Sequence, residues 1–336
     1  MKPTDLAVHL SAFLGSYMPA QLGASPHTIK TYRDAFMLLL RYMRDQRGRP
    51  AEKLSIDEID APCILGFLDH LKMERRCQPT TCNQRLAAIH AFFRYVQIEE
   101  PARIAHCQRV LAIPMRRSTQ ESVSYLSAED VAAILRQPDR RSAAGRRDAA
   151  LLSLLYDTGA RVQELADLRV RDIRVDTPPH VRLLGKGRKV RTVPLLSATT
   201  TLIHDYIDEH GLDRPERHDG PLFFNRRGEA LSRFGIRYIL HKYVEQARRE
   251  LPGLATSISP HTMRHTKAMH LLQAGNPAII IRDILGHSDI KTTTVYARAD
   301  PEAKRRALEK TSRDAPATST SSWRTNPTLM DWLRNL

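Results

Sequence analysis

Strand-like alternation of apolar residues is confined to one stretch of this chain, VRDIRV, HVRLLG and KVRTVPL between residues 170 and 195. Elsewhere apolar residues recur at helical spacing. The fold class that follows is mainly α, with one small antiparallel sheet. Gly185 and Gly187 punctuate the sheet's turn and place Lys186 at the tip of a β-hairpin.

The N-terminal third reads as helical throughout. Ser25 and Pro26 suit an N-cap and first helical position, after which Ile29, Tyr32, Phe36, Leu39, Leu40 and Met43 share a face until Gly48. A second helix opens at Asp60 and Pro62, with Ile64, Leu65, Leu68 and Leu71 as its expected buried stripe, and a third runs through NQRLAAIHAFFRYV. Four short helices joined by polar turns make a small bundle. Lys30, Arg33, Arg85 and Arg94 lie among its apolar residues, where such charges ordinarily solvate a helix face and can also meet phosphate.

The polar stretch MRRSTQESVSY has no helical period and reads as a linker. Beyond it, Ser127 and Asp130 in LSAED form a capping pattern that opens a second domain. RRDAALLSLLYDTG is a buried helix stopped by Gly159, and RVQELADL follows as a short one. Helices return after the sheet at TTLIHDYIDEHG, SRFGIRYILHKYVEQARRE, PHTMRHTKAMHLLQAG and NPAIIIRDILG. The expected division is a helical domain over 1–115, a linker over 116–125, a second domain over 126–311 and a tail over 312–336. The tail begins as low-complexity SRDAPATSTSS, and Leu329, Met330, Trp332, Leu333 and Leu336 can form a short apolar helical face at its end.

At 336 residues and 42% hydrophobic content, each of two domains can bury a core. The formal net charge of +15 predicts attraction to a polyanion. Charge alone leaves DNA, RNA and acidic membranes open. No apolar run approaches the roughly 18 residues that span a bilayer, and MKPTDLAVHL lacks a signal peptide's apolar core, so a cytoplasmic protein is expected. Cys63, Cys77, Cys82 and Cys107 show no CxxC pairing and read as reduced structural thiols.

Six positions carry chemistry: Arg161, Lys186, His261, Arg264, His287 and Tyr296. A tyrosine hydroxyl, with an ordinary pKa of about 10, becomes a nucleophile only when a base takes its proton or cations stabilise the phenolate. Guanidinium groups answer phosphate charge with planar, always-ionised donors. Several of these positions have another reading beside this one. Arg161 suits a salt bridge to Glu164, Lys186 an idle hairpin lysine and Tyr296 core packing. His261 and His265 have a zinc-binding spacing, but Thr262 stands where a metalloprotease requires Glu.

Taken together, TGARxxEL around Arg161, GKGRKVRTVPL around Lys186, the HxxR of HTMRHT, LGH and TTTVYAR resemble the catalytic set of the tyrosine recombinase (phage integrase) family. The resemblance covers about 126–296; the first domain matches the family's SAM-like, helical core-binding module in pattern only. It implies that Arg161 and Arg264 bind the scissile phosphate and Lys186 protonates the leaving 5′-oxygen. Tyr296 attacks phosphorus to give a 3′-phosphotyrosine, His287 hydrogen-bonds the phosphate, His261 assists proton transfer and His265 is structural. Arg188, Lys189 and Arg191 are expected as strand ends touching phosphate or solvated.

No metal or cofactor is implied, and no G-x-x-x-x-G-K-[ST] loop occurs. The implied partners are double-stranded DNA at specific recombination sites and a homotetramer on DNA, or one shared with related recombinases, with the tail helix docking on a neighbour or folding back. Integration or mobile-element movement is the expected role. Resolution of chromosome or plasmid dimers is the alternative within the chemistry. A catalytically silent DNA-binding protein is the alternative outside it, although such a protein would be expected to have lost one of the six positions.

Overall fold

The computed structural model describes residues 2–117, 124–185, 187 and 189–286. Lys186, Arg188, His287, Tyr296 and the helix expected in the tail lie outside the described residues. The chain divides into two compact units, Met1–Glu121 and Ser122–Leu336.

In the first unit, α1 (Asp5–Ala12) is capped by the Thr4 hydroxyl and continues as a π-helical segment, Phe13–Gln21. It is followed by α2 (Pro26–Arg47), α3 (Ala61–Met73), α4 (Pro79–Glu99) and α5 (Ile104–Leu111). The caps are those the sequence signals: Ser25 Oγ accepts from the Thr28 amide at 3.2 Å and Asp60 Oδ1 from the Cys63 amide at 2.8 Å. Gly48 closes α2 in the left-handed conformation at φ 62°. Phe13, Phe36 and Phe92 meet edge to face at the centre, with ring centroids 5.5 and 5.3 Å apart for the two pairs that share Phe92. The stripe of α3 differs from expectation at one position. Leu65 is exposed, and Cys63 and Phe67 are buried with Ile64, Leu68 and Leu71. A position 100° round the helix from Ile64 leaves the face that Phe67 and Leu68, three and four residues on, maintain.

The second unit begins with α6 (Ala128–Arg136), whose Ser127–Asp130 capping box is reciprocal: Ser127 Oγ accepts from the Asp130 amide and Asp130 Oδ2 from the Ser127 amide. Then come α7 (Ala143–Thr158), α8 (Val162–Ala166), β1 (Ile173–Arg174), β2 (His180–Leu184), β3 (Val190–Pro194), α9 (Ser197–His210), α10 (Arg233–Glu250), α11 (Pro260–Gln273) and α12 (Ala278–Leu285). The sheet is antiparallel in the order β1-β2-β3, and Val181 pairs with Val193 and Leu183 with Arg191. Half of VRDIRV is a 3₁₀ turn, Val170–Asp172, and only two of its residues are strand. Val181, Leu183 and Val193 enter the core against α7 to α10. Buried Asp148 of α7 accepts from the Tyr243 hydroxyl of α10 at 2.9 Å and from the Arg147 guanidinium at 2.7 Å, which pins those helices together.

Gly159 ends α7 at φ 56°, and a Cβ there would lie 2.5 Å from Leu285 Cδ2 of α12. Gly228, at φ 78°, has open space around it. Gly159→Ala therefore meets both backbone strain, about 1–3 kcal/mol, and a clash, whereas Gly228→Ala meets strain alone. Urea unfolding should show the larger loss for Gly159→Ala; equal losses would contradict the close approach of α12.

Candidate functional site

Three of the six predicted positions are described, and the second unit brings them together. Arg161 stands at the start of α8, just past Gly159. His261 and Arg264 stand one turn apart on α11, which begins at a Ser259 cap with Pro260 in the first helical position. The remaining three, Lys186, His287 and Tyr296, lie outside the described residues.

Arg264 is buried, and its guanidinium donates to the Gly159 carbonyl at the end of α7 and to the Leu285 carbonyl at the end of α12, both at 2.6 Å. Two charge-assisted bonds to different helix ends fix the plane of the group. Arg161 Nη2 reaches the next carbonyl, Gly286, at 3.4 Å. Both arginines thus converge on the turn that closes α12, one residue before His287 in the sequence.

Arg161 also pairs with Glu164, which is almost fully buried. Its Oε1 accepts from Arg161 Nη1 at 2.7 Å and Arg191 Nη1 at 3.0 Å, and its Oε2 from the Arg161 amide at 2.9 Å and Arg191 Nη2 at 2.7 Å. Burial pushes the Glu164 carboxyl up, but the hydrogen bonds and charges of Arg191 and then Arg161 outweigh it and hold the group below its ordinary value. The salt bridge between Arg161 and Glu164 is therefore present, and it orients the arginine rather than burying it: the Arg161 side chain keeps 38% of its surface exposed.

Arg191 is a correction. The expectation was a strand end touching phosphate or solvated, but its side chain is only 10% exposed, and Nε also donates to the Ile284 carbonyl at 2.9 Å. Strand periodicity carried the signal. Arg191 stands two residues before the core residue Val193 and so shares its face. A cation phased inward on a strand requires a buried anion, and Glu164 is that anion.

The rings of His261 and His265 meet edge to face, 4.0 Å between centroids. His261 keeps an exposed edge; partial desolvation, then the charges of Arg264 and Arg161, hold its pKa below the ordinary 6.5. His265 is pushed down to about 4 by burial, with His261 and Arg264 adding to the effect. On the same helix the ring of His270 donates through Nε2 to the Leu126 carbonyl at 3.0 Å and accepts the Tyr156 hydroxyl at Nδ1, 2.7 Å. Thr266 Oγ1 accepts the Leu126 amide, so α11 is anchored along its length. Among the described residues, no group of three or more His, Cys, Asp or Glu could hold a metal ion, and no helix is long and apolar enough to cross a membrane.

Residues 124–303 match the model of the phage integrase family, and residues 12–100 match its N-terminal SAM-like domain. The chain belongs to the phage integrase family, the tyrosine recombinases. Tyrosine recombinases cleave and rejoin DNA with a tyrosine nucleophile. A Sinorhizobium fredii protein named as integrase/recombinase y4rC is 40% identical over 338 residues, covering 100% of this chain and 99% of that protein. The tyrosine recombinase XerD of Listeria innocua is 30% identical over 282 residues, covering 83% of this chain and 90% of the relative. The fold resembles that of the Tn1549 transposon integrase solved with transposon right end DNA, with a TM-score of 0.67 at 19% identity, over 90% of this chain and 98% of the other. It also resembles XerH bound to difH, with a TM-score of 0.65 at 20% identity, over 85% and 80%.

The low histidine pKa values in this tyrosine recombinase have a consequence for stability. Between pH 6.5 and about 4 the unfolded chain protonates His265 while the folded protein does not, so stability is full above 6.5 and falls as pH drops through that window. His90, His261 and His270 are lowered too and add the same sign. The thermal midpoint should fall from pH 7 to pH 5, and His265→Gln should make that fall shallower. An unchanged slope in the variant would contradict a strongly depressed His265.

Proposed function

We propose that this tyrosine recombinase cuts and rejoins double-stranded DNA at specific sites through Tyr296, with Arg161, Lys186, His261, Arg264 and His287 completing the catalytic set. Tyr296 Oη attacks the scissile phosphorus, the bond to the 5′-oxygen breaks, and a 3′-phosphotyrosine and a 5′-hydroxyl result. Lys186 delivers the proton to the leaving oxygen. His261, largely neutral at pH 7 because its pKa is held low, accepts the tyrosine proton. Arg161 and Arg264 stabilise the charge on the non-bridging oxygens, and His287 hydrogen-bonds the phosphate. The 5′-hydroxyl of a partner strand then attacks the phosphotyrosine and frees Tyr296, so the phosphodiester energy is conserved.

The observation that carries this reading is the convergence of Arg161 and Arg264 on the Leu285–Gly286 turn, with His261 on the same helix as Arg264. Exposed Arg233, Phe234, Arg237 and Tyr238 on one side of α10 add a basic and aromatic surface suited to a DNA backbone. Strand exchange in pairs calls for four active tyrosines, hence a tetramer on DNA. The role proposed is integration or movement of a mobile element, supported by the full-length likeness to a protein named as an integrase/recombinase. A second reading, resolution of DNA dimers, uses the same chemistry and is equally compatible with the likeness to a tyrosine recombinase.

Incubation with a pool of nicked duplexes carrying randomised arms should yield protein–DNA adducts that survive denaturation, and Tyr296→Phe should yield none while still binding. An adduct formed by the Phe variant would remove Tyr296 as nucleophile. On a duplex recovered from that pool, Arg161→Ala and Arg264→Ala should lose ~10²-fold or more in cleavage rate, and Lys189→Ala should mainly weaken binding and flatten its salt dependence. Equal rate losses in all three would reduce the two arginines to ordinary phosphate contacts.

A further inference from the structure

Arg191 has no part in the chemistry above, yet three segments that carry that chemistry meet on its side chain. It grows from β3 of the hairpin, its Nη1 and Nη2 clasp the Glu164 carboxylate that also orients Arg161, and its Nε holds the Ile284 carbonyl near the end of α12. Gly286 makes room for it: a Cβ there would lie 2.8 Å from Arg191 Cδ and 3.0 Å from Nη1, whereas one at Gly185 would meet Glu164 Oε1 and Arg191 Nη1 at the ordinary contact distances of 3.4 and 3.7 Å. In the sequence, Gly185 directly precedes Lys186 and Gly286 directly precedes His287.

We infer that Arg191 is a positioning residue for DNA cleavage, whose planar fork holds the hairpin root, the Arg161 turn and the α12 terminus in one register. The role needs a guanidinium. An ammonium is a point charge on a flexible stem and cannot keep two parallel bonds to a carboxylate while donating sideways to a carbonyl. A phosphate-contact role does not fit a side chain that is nine-tenths covered and already bonded at all three nitrogens. The inference rests on the reading of Tyr296 as nucleophile, because the register it describes is that of the cleavage site.

The test uses the full chain and the nicked duplex recovered with wild-type protein, comparing Arg191→Lys and Arg191→Met. Three quantities are read: the thermal melt, the dissociation constant for the duplex, and the single-turnover rate of Tyr296 adduct formation at saturating protein. Arg191→Lys should keep a cooperative melt and bind within about threefold of wild type, yet cleave about 10–100-fold more slowly, as displaced catalytic groups do. Arg191→Met should be at least as slow. Wild-type cleavage rates at saturation in either folded variant would overturn the inference. A loss confined to binding, or the absence of a cooperative melt in both variants, would also overturn it, since the side chain would then serve phosphate contact or folding alone. Failure of the wild-type protein to form any adduct would overturn the cleavage reading itself, and this inference with it.

Discussion

The second unit's functional end depends on one buried carboxylate. Glu164 accepts four hydrogen bonds from two arginines, and without its negative charge the cations of Arg161 and Arg191 would face each other across a poorly solvated space. Removing one member of such a buried pair ordinarily destabilises by about 3–5 kcal/mol, because the charge left behind has no water to replace its partner. The carboxylate therefore converts two mutually repelling groups into a frame. Arg264 extends this frame with bonds from α11 to the ends of α7 and α12.

That frame divides the labour among the cations. Arg191 is nine-tenths covered and holds position, whereas Arg161 is held by the same carboxylate but keeps its outer face towards solvent. Arg264 is buried and planar against two helix ends. In a site for phosphoryl transfer, donors held in place before the reaction need no reorganisation as charge develops, and this is the usual source of a large rate effect. The histidines fit the same scheme. Burial first, and then the neighbouring positive charge that would attract a phosphate, lower the pKa of both His261 and His265, so His261 is ready to accept a proton.

Much of the architecture was legible because its signals are local. Ser25, Asp60 and Ser127 cap where a hydroxyl or carboxylate precedes an apolar periodic run, and Gly48 and Gly159 stop helices by adopting the left-handed conformation. The hairpin followed from period-two alternation on either side of two glycines. Leu65 differs from expectation because an apolar residue at the margin of a helical stripe can fall outside the buried face, which Ile64, Phe67, Leu68 and Leu71 hold. Arg191 was missed for a related reason. Its charge suggested solvent, its phase on β3 pointed inward, and the partner that settles the conflict lies 27 residues earlier, on α8. Convergence of Arg161, His261 and Arg264 could be read from motif wording. The carbonyls of Gly159, Leu285 and Gly286 that orient the arginines could not, since backbone acceptors leave no mark in a sequence.

The central claim is that the ionised Glu164 carboxylate organises the cleavage site. The most direct measurement is the single-turnover adduct rate of Glu164→Gln at saturating DNA, in protein shown to melt cooperatively. Gln preserves the shape and removes the charge, so the account predicts near wild-type binding with cleavage slowed by about 10²-fold, the scale of losing a preorganised donor. A folded Glu164→Gln variant that cleaves at the wild-type rate would contradict it.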